Sequence, residues 1–187
     1  LLGYRVIGVD LSPELIEHAP TRAVADHVTD RVSYHVANAD SANLPDGKFD
    51  MVLILAVLHH MDVESGLKTA ARLLKPGGTV IVQEPISLSP ALRFIRRLIP
   101  ISKEYSPNER QLDANDLKTI ERYFNIHTRR HYFMTIRLIR LIPSRFQALQ
   151  NRLSPKLHAL DAWLIVRIPA LYRFYGSTLM VGRKRDF

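Results

Sequence analysis

The feature that most constrains the fold is a pair of continuous apolar runs, DMVLILAVL at 50–58 and TVIVQE at 79–84, separated by about one helix of sequence. Val, Ile and Leu in unbroken series predict strands buried on both faces, as in a parallel sheet covered by helices. Between the runs, Asp62 is placed to cap a helix over 63–74, where Val63, Leu67, Ala70, Ala71 and Leu74 share one face. KPGG at 75–78 supplies the stop. The same rhythm runs upstream. YRVIGV at 4–9 is a β-rich run reaching Asp10, SPELIEHA reads as a helix with Ser12 as N-cap and Pro13 at its first position, and VSYHV at 32–36 is a strand ending near Asp40. Strand, helix and loop alternate, which predicts an α/β fold with a doubly wound, mostly parallel sheet.

Composition narrows the chemistry. The chain has no cysteine, which excludes disulfides, thiolate nucleophiles and cysteine metal sites within it. At 187 residues, 47% hydrophobic and 24% charged, it has the balance of one globular domain rather than of a disordered segment. The opening LLGYRVIGVD has no basic stretch leading an apolar run to a cleavage site. The absence of cysteine fits a reducing compartment, and the expected location is cytoplasmic, with the membrane surface as an alternative.

Three segments in order, VIGVDLSPELIEHA, NADSANLPDGKFDMVLILAVLHHMD and RLLKPGGTVIVQEP, resemble the small-molecule methyltransferases of Rossmann-like type that use S-adenosylmethionine. The resemblance is close over residues 3–85 and holds only in outline over 113–187. It implies S-adenosylmethionine as cofactor, with Asp10 at the ribose, Asp40 and Ser41 at the adenine, Leu55 beside the methionine part, and Leu11 also among the cofactor-binding residues. It also implies that residues 1–87 form a cofactor-binding half and 88–187 a substrate or lid half of one domain. An acidic residue at the end of a strand has its own physical logic, since a carboxylate can accept from both ribose hydroxyls. The same logic admits a nicotinamide-dependent oxidoreductase. An inactive methyltransferase-like binding module is the other alternative.

Ligands in such sheets bind at the carboxyl ends of the strands. That brings His59, His60 and Glu84 to the rim where an acceptor would sit. Either histidine could remove a proton from the acceptor, or could cap or pack under the helix that follows. Glu84 could serve the acceptor or pair with an arginine. No third ligand stands at metal spacing from the histidines, so no metal is expected. The family pattern has a strand and a glycine-rich turn roughly thirty residues before the position of Asp10, a βαβ separation. Only nine residues precede Asp10 here, so the expectation is a fragment lacking the central first strand and its loop.

The net charge of +8 is unevenly spread. Residues 1–87 carry 7 Lys+Arg against 11 Asp+Glu, and residues 88–187 carry 19 against 7. ALRFIRRLI at 91–99 reads as a helix with Arg on one side. A helix over 113–122 capped by Asp113, a strand over 124–133 and a last strand STLMVG at 177–182 follow. Between those last two strands, residues 136–175 read as a helical insertion broken by Pro143, Pro155 and Pro169. Arg interleaved with Leu and Ile, with Trp163, Tyr172 and Tyr175 nearby, leaves two readings open. One is an amphipathic lid packed on the core; the other is a surface that meets anionic membrane headgroups. AWLIVRIPA at 162–170 is far short of the roughly 20 residues a bilayer span needs. Nucleic acid is disfavoured because the cations stand among aliphatic residues rather than aromatic platforms. The acceptor implied is a small or lipid-linked hydrophobic molecule.

Overall fold

The computed structural model describes residues 3–40, 42–91, 93, 94 and 110–185. Ser41 and most of the basic segment 91–99 lie outside the described residues. The elements run β1 (Val6–Asp10), α1 (Pro13–Ala25), β2 (Val32–Val36), β3 (Phe49–Leu55), α2 (Val63–Leu73), β4 (Leu74–Pro85), α3 (Ala114–Tyr123), β5 (Phe124–Tyr132), α4 (Gln147–Arg167) and β6 (Ser177–Lys184). A 3-10 turn, Leu58–His60, joins β3 to α2. Others, Ile136–Leu141, Ser144–Phe146 and Pro169–Phe174, flank α4.

The caps form as the sequence predicts. The Ser12 side chain accepts from the Leu15 amide, Asp62 from the Ser65 amide, and Asp113 and Asp116 form a reciprocal capping box at α3. Prolines behave less uniformly. Pro143 and Pro169 stand at the edges of 3-10 turns, but α4 runs through Pro155 and α1 through Pro20. The expected break at Pro155 is therefore absent. Both helices carry the loss of one backbone donor without ending, since the flanking turns hold their own ladder.

Among the described residues the strands form two sheets rather than one. β1 and β2 pair in parallel, and a second sheet has the order β3-β4-β6-β5. In it β3 and β4 are parallel while β6 is antiparallel to both its neighbours. The core lies between this sheet and helices α2 and α3, built from Leu58, Leu67, Val80, Val82, Ile120, Phe124 and Met180. β4 buries Val80, Val82 and Glu84 on one face, while on the other Thr79 and Ile81 are half-buried and Gln83 is exposed, so the expected burial on both faces is met on one. On β3, Met51, Leu53 and Leu55 are exposed at 40%, 54% and 49%. β3 ends its sheet, and β1 ends the other, so each has one open edge.

Those open edges face a shared cleft. One end of it, about 1080 Å³, is bordered by the starts of β1, β2 and β3 and by the Lys75–Thr79 approach to β4. Because the starts of β1 and β3 meet there, the two strands run in the same sense. A second, more apolar cavity of about 370 Å³ follows both strands as far as Val9 and Val57.

Candidate active site

The site lies where β3 leaves its sheet. Ala56 takes a left-handed backbone conformation, φ 52°, held by its amide donating to the Gln83 carbonyl at 2.8 Å. A non-glycine residue in that region stores strain and persists only when its surroundings fix it. Here the fixing group is Glu84, at the end of β4. It is 0% exposed, and its Oε1 accepts from the amides of Val57 at 2.7 Å and Leu58 at 2.8 Å. Its Oε2 lies 2.8 Å from Nδ1 of His59, itself only 6% exposed. A carboxylate at that distance accepts, which places the proton of a neutral His59 on Nδ1.

His60 is the exposed ring of the pair and stacks on His59 with centroids 3.9 Å apart. The turn is held from the other side as well. The Arg110 amide donates to the His59 carbonyl at 3.1 Å, and the Arg110 guanidinium forms a two-pronged pair with Asp116 at 2.5 and 2.8 Å. Burial acts to raise the Asp116 carboxyl, but the Arg110 hydrogen bonds and the Asp113 amide outweigh it, so the group sits below the ordinary carboxylate range.

The candidate cofactor residues stand at the ends of β1 and β2. Asp10 closes β1, its carbonyl accepts from the Ala37 amide, and its Oδ1 accepts from the Ser12 amide at 2.8 Å. Its second oxygen has no partner among the described residues. Asp40 follows β2; its carbonyl accepts from the Thr69 hydroxyl at 2.5 Å, and its carboxylate likewise has no described partner. Half-buried carboxylates with open acceptor sites suit a ribose diol and an exocyclic amine. Leu11, which follows β1, and Leu55, which closes β3, are 70% and 49% exposed and present apolar surface at those strand ends. Acceptors so placed fit the hydroxyl and amine donors of an adenosine-type cofactor. Among the described residues no group of three or more His, Asp or Glu side chains could hold a metal.

Sequence reasoning brings His59, His60 and Glu84 to one rim, and the structure places them together. It misses Ala56 and Arg110. Arg110 reaches His59 from some fifty positions away, and no local pattern encodes a contact of that separation.

Residues 1–82 match the methyltransferase domain family. Among curated proteins, 27-O-demethylrifamycin SV methyltransferase of Amycolatopsis mediterranei is 42% identical over 74 residues, 39% of this chain and 27% of that protein. Ubiquinone biosynthesis O-methyltransferase of Xanthomonas oryzae pv. oryzae is 33% identical over 108 residues, 53% of this chain and 44% of that protein. The chain thus spans less than half the length of these relatives. Geranyl diphosphate C-methyltransferase from Streptomyces coelicolor A3(2), solved with Mg2+, geranyl diphosphate and S-adenosyl-L-homocysteine, shares the fold at TM-score 0.64 and 16% identity. That match covers 98% of this chain and 66% of the other. The [4+2]-cyclase SpnF shares it at TM-score 0.64 and 21% identity, over 98% and 68%. Residues 1–82 are thus similar to the methyltransferase domain family, and the chain shares the fold of these solved structures.

Proposed function

We propose that the protein transfers a methyl group from S-adenosylmethionine to a small or lipid-linked hydrophobic acceptor. The observation that carries this reading is a single apolar cavity bordered by Val9, Ala39, Val57 and Leu58, chain neighbours of Asp10, of Asp40 and of the Glu84-held turn, in a chain whose residues 1–82 match the methyltransferase domain family. Bound S-adenosylmethionine would supply an electrophilic sulfonium methyl for direct displacement. The chain's own task is then to hold donor and acceptor in line, because positioning carries most of such a reaction.

Asp10 would accept from the ribose hydroxyls and Asp40 from the adenine amine, with Ser41, Leu11 and Leu55 alongside. Glu84 has both oxygens engaged and no exposed surface, so its part is to hold the turn and His59. That leaves His60 as the exposed ring able to take a proton from a hydroxyl acceptor as the new bond to carbon forms. Rifamycin-type and quinone-type acceptors in the relatives' names are consistent with a hydrophobic acceptor.

We further propose that a parallel strand from outside residues 1–187 completes the sheet between β1 and β3. Two open edges running in the same sense along one apolar cleft support this. The fold neighbour that is a [4+2]-cyclase favours a second reading, in which the same architecture serves a reaction other than methyl transfer. Incubating the full-length protein with methyl-labelled S-adenosylmethionine and a fractionated cell extract separates the two. The proposed function predicts label in organic-soluble products. Cofactor binding with no labelled product in any fraction supports the second reading instead.

A further inference from the structure

The insertion between β5 and β6 uses one face of α4 for anchoring and leaves the other unexplained. On the inner face Leu153, Leu157, Leu164 and Ile165 are partly buried and Asp161 is fully buried. The Asp161 carboxylate accepts from the amides of Met134 at 3.0 Å, Thr135 at 2.7 Å and Ile136 at 3.3 Å, and its carbonyl accepts from the Tyr175 hydroxyl at 3.2 Å. That face satisfies everything a lid packed on its base requires.

The outer face carries a second pattern. Leu149, Arg152, Lys156, Leu160, Trp163 and Arg167 follow one another in steps of three or four residues and so form one stripe along the helix. All six are exposed. Val166 beside them is 76% exposed and Trp163 54%.

Charge selects the partner. Between positions 133 and 176 there are seven Lys or Arg and one acid, and that acid is the buried Asp161. None of the ion pairs among the described residues involves the stripe. Arginines also lie against exposed aromatics at both ends of α4. Arg145 is 5.0 Å from the Phe146 ring centre, Arg167 6.0 Å from Trp163 and Arg173 5.7 Å from Tyr172. An apolar ring paired with a cation matches the boundary between acyl chains and anionic headgroups. Long basic side chains can reach the headgroups while their stems stay with the apolar residues. No helix among the described residues is long and apolar enough to cross a membrane.

We infer that the outer face of α4, with the adjoining 3-10 turn Pro169–Phe174, docks on an anionic lipid surface with the helix axis in the membrane plane. Docking requires neither the cofactor nor the chemistry of the site, so it stands or falls separately from the methyl-transfer reading.

Trp163 is the only tryptophan in these 187 residues, which makes it a direct probe. The full-length protein and its Trp163→Phe variant are mixed with vesicles of phosphatidylcholine alone, or with phosphatidylglycerol added, and scored by sedimentation and fluorescence. Recovery with anionic vesicles, its release by salt, and quenching of Trp163 by brominated acyl chains are expected. Arg152→Glu, Lys156→Glu and Arg167→Glu combined should lower vesicle partitioning on the order of a hundred-fold, with cofactor binding unchanged. Equal recovery on neutral vesicles, an unquenched Trp163, or retention on RNA in place of vesicles overturns the inference.

Discussion

With both Glu84 oxygens engaged and its side chain sealed from solvent, substitutions there separate shape from charge. Glu84→Leu would leave the Val57 and Leu58 amides without an acceptor. At about 1–3 kcal/mol for each buried group left unpaired, the expected loss is a large part of a typical domain's stability, read as a fall in the denaturant midpoint. Ala56→Gly should instead be neutral or stabilising by up to about 1–2 kcal/mol, since glycine adopts φ 52° without a Cβ penalty. His60→Ala should lower turnover by about 10²–10⁴-fold if His60 is the proton acceptor, while leaving S-adenosylhomocysteine affinity intact. Asp10→Ala should do the reverse, weakening that affinity by about 1.5–3 kcal/mol by calorimetry. The caps Ser12, Asp62 and Asp113 were legible because each serves a backbone amide two or three residues on. Glu84 was legible as a rim residue but not as a clamp, since its partners lie 25 to 27 positions away.

Among the elements, β3 shows where periodicity misleads. Its unbroken Val, Ile and Leu predict burial on both faces, yet Met51, Leu53 and Leu55 are exposed because no described element covers the face they share. The strands β5 and β6 and the insertion between them were legible from the sequence, but the antiparallel sense of β6 against both its neighbours was not. Nor was the junction of that insertion. It depends on Phe133 with φ 64°, on Asp161, and on His131, whose buried Nδ1 has no partner among the described residues. Burial, and secondarily the Arg129 charge, push the His131 pKa below its ordinary value. A histidine depressed in the folded state contributes stability that is present above the unfolded pKa of about 6.5 and lost as pH falls from there toward the folded value. Thermal stability should therefore decline as pH drops below about 6.5. A His131→Phe variant, which cannot be protonated there, should flatten that decline, as followed by circular dichroism across pH.

For the whole molecule, the central claim is that a methyltransferase site forms once the two sheets become one. As they stand, β1 and β3 have open edges on the cleft, and Val6, Met51 and Leu53 are exposed along it. Apolar edges of this kind favour aggregation, and unpaired backbone groups buried among them would cost about 1–3 kcal/mol each. The most direct measurement is a calorimetric titration of S-adenosylhomocysteine, with NAD as control, into the full-length protein and into residues 1–187 alone. The account predicts micromolar binding of S-adenosylhomocysteine and none of NAD by the full-length protein, with neither bound by the 187-residue chain. Preferential NAD binding would contradict the cofactor assignment, and micromolar S-adenosylhomocysteine binding by residues 1–187 alone would contradict the strand placed between β1 and β3.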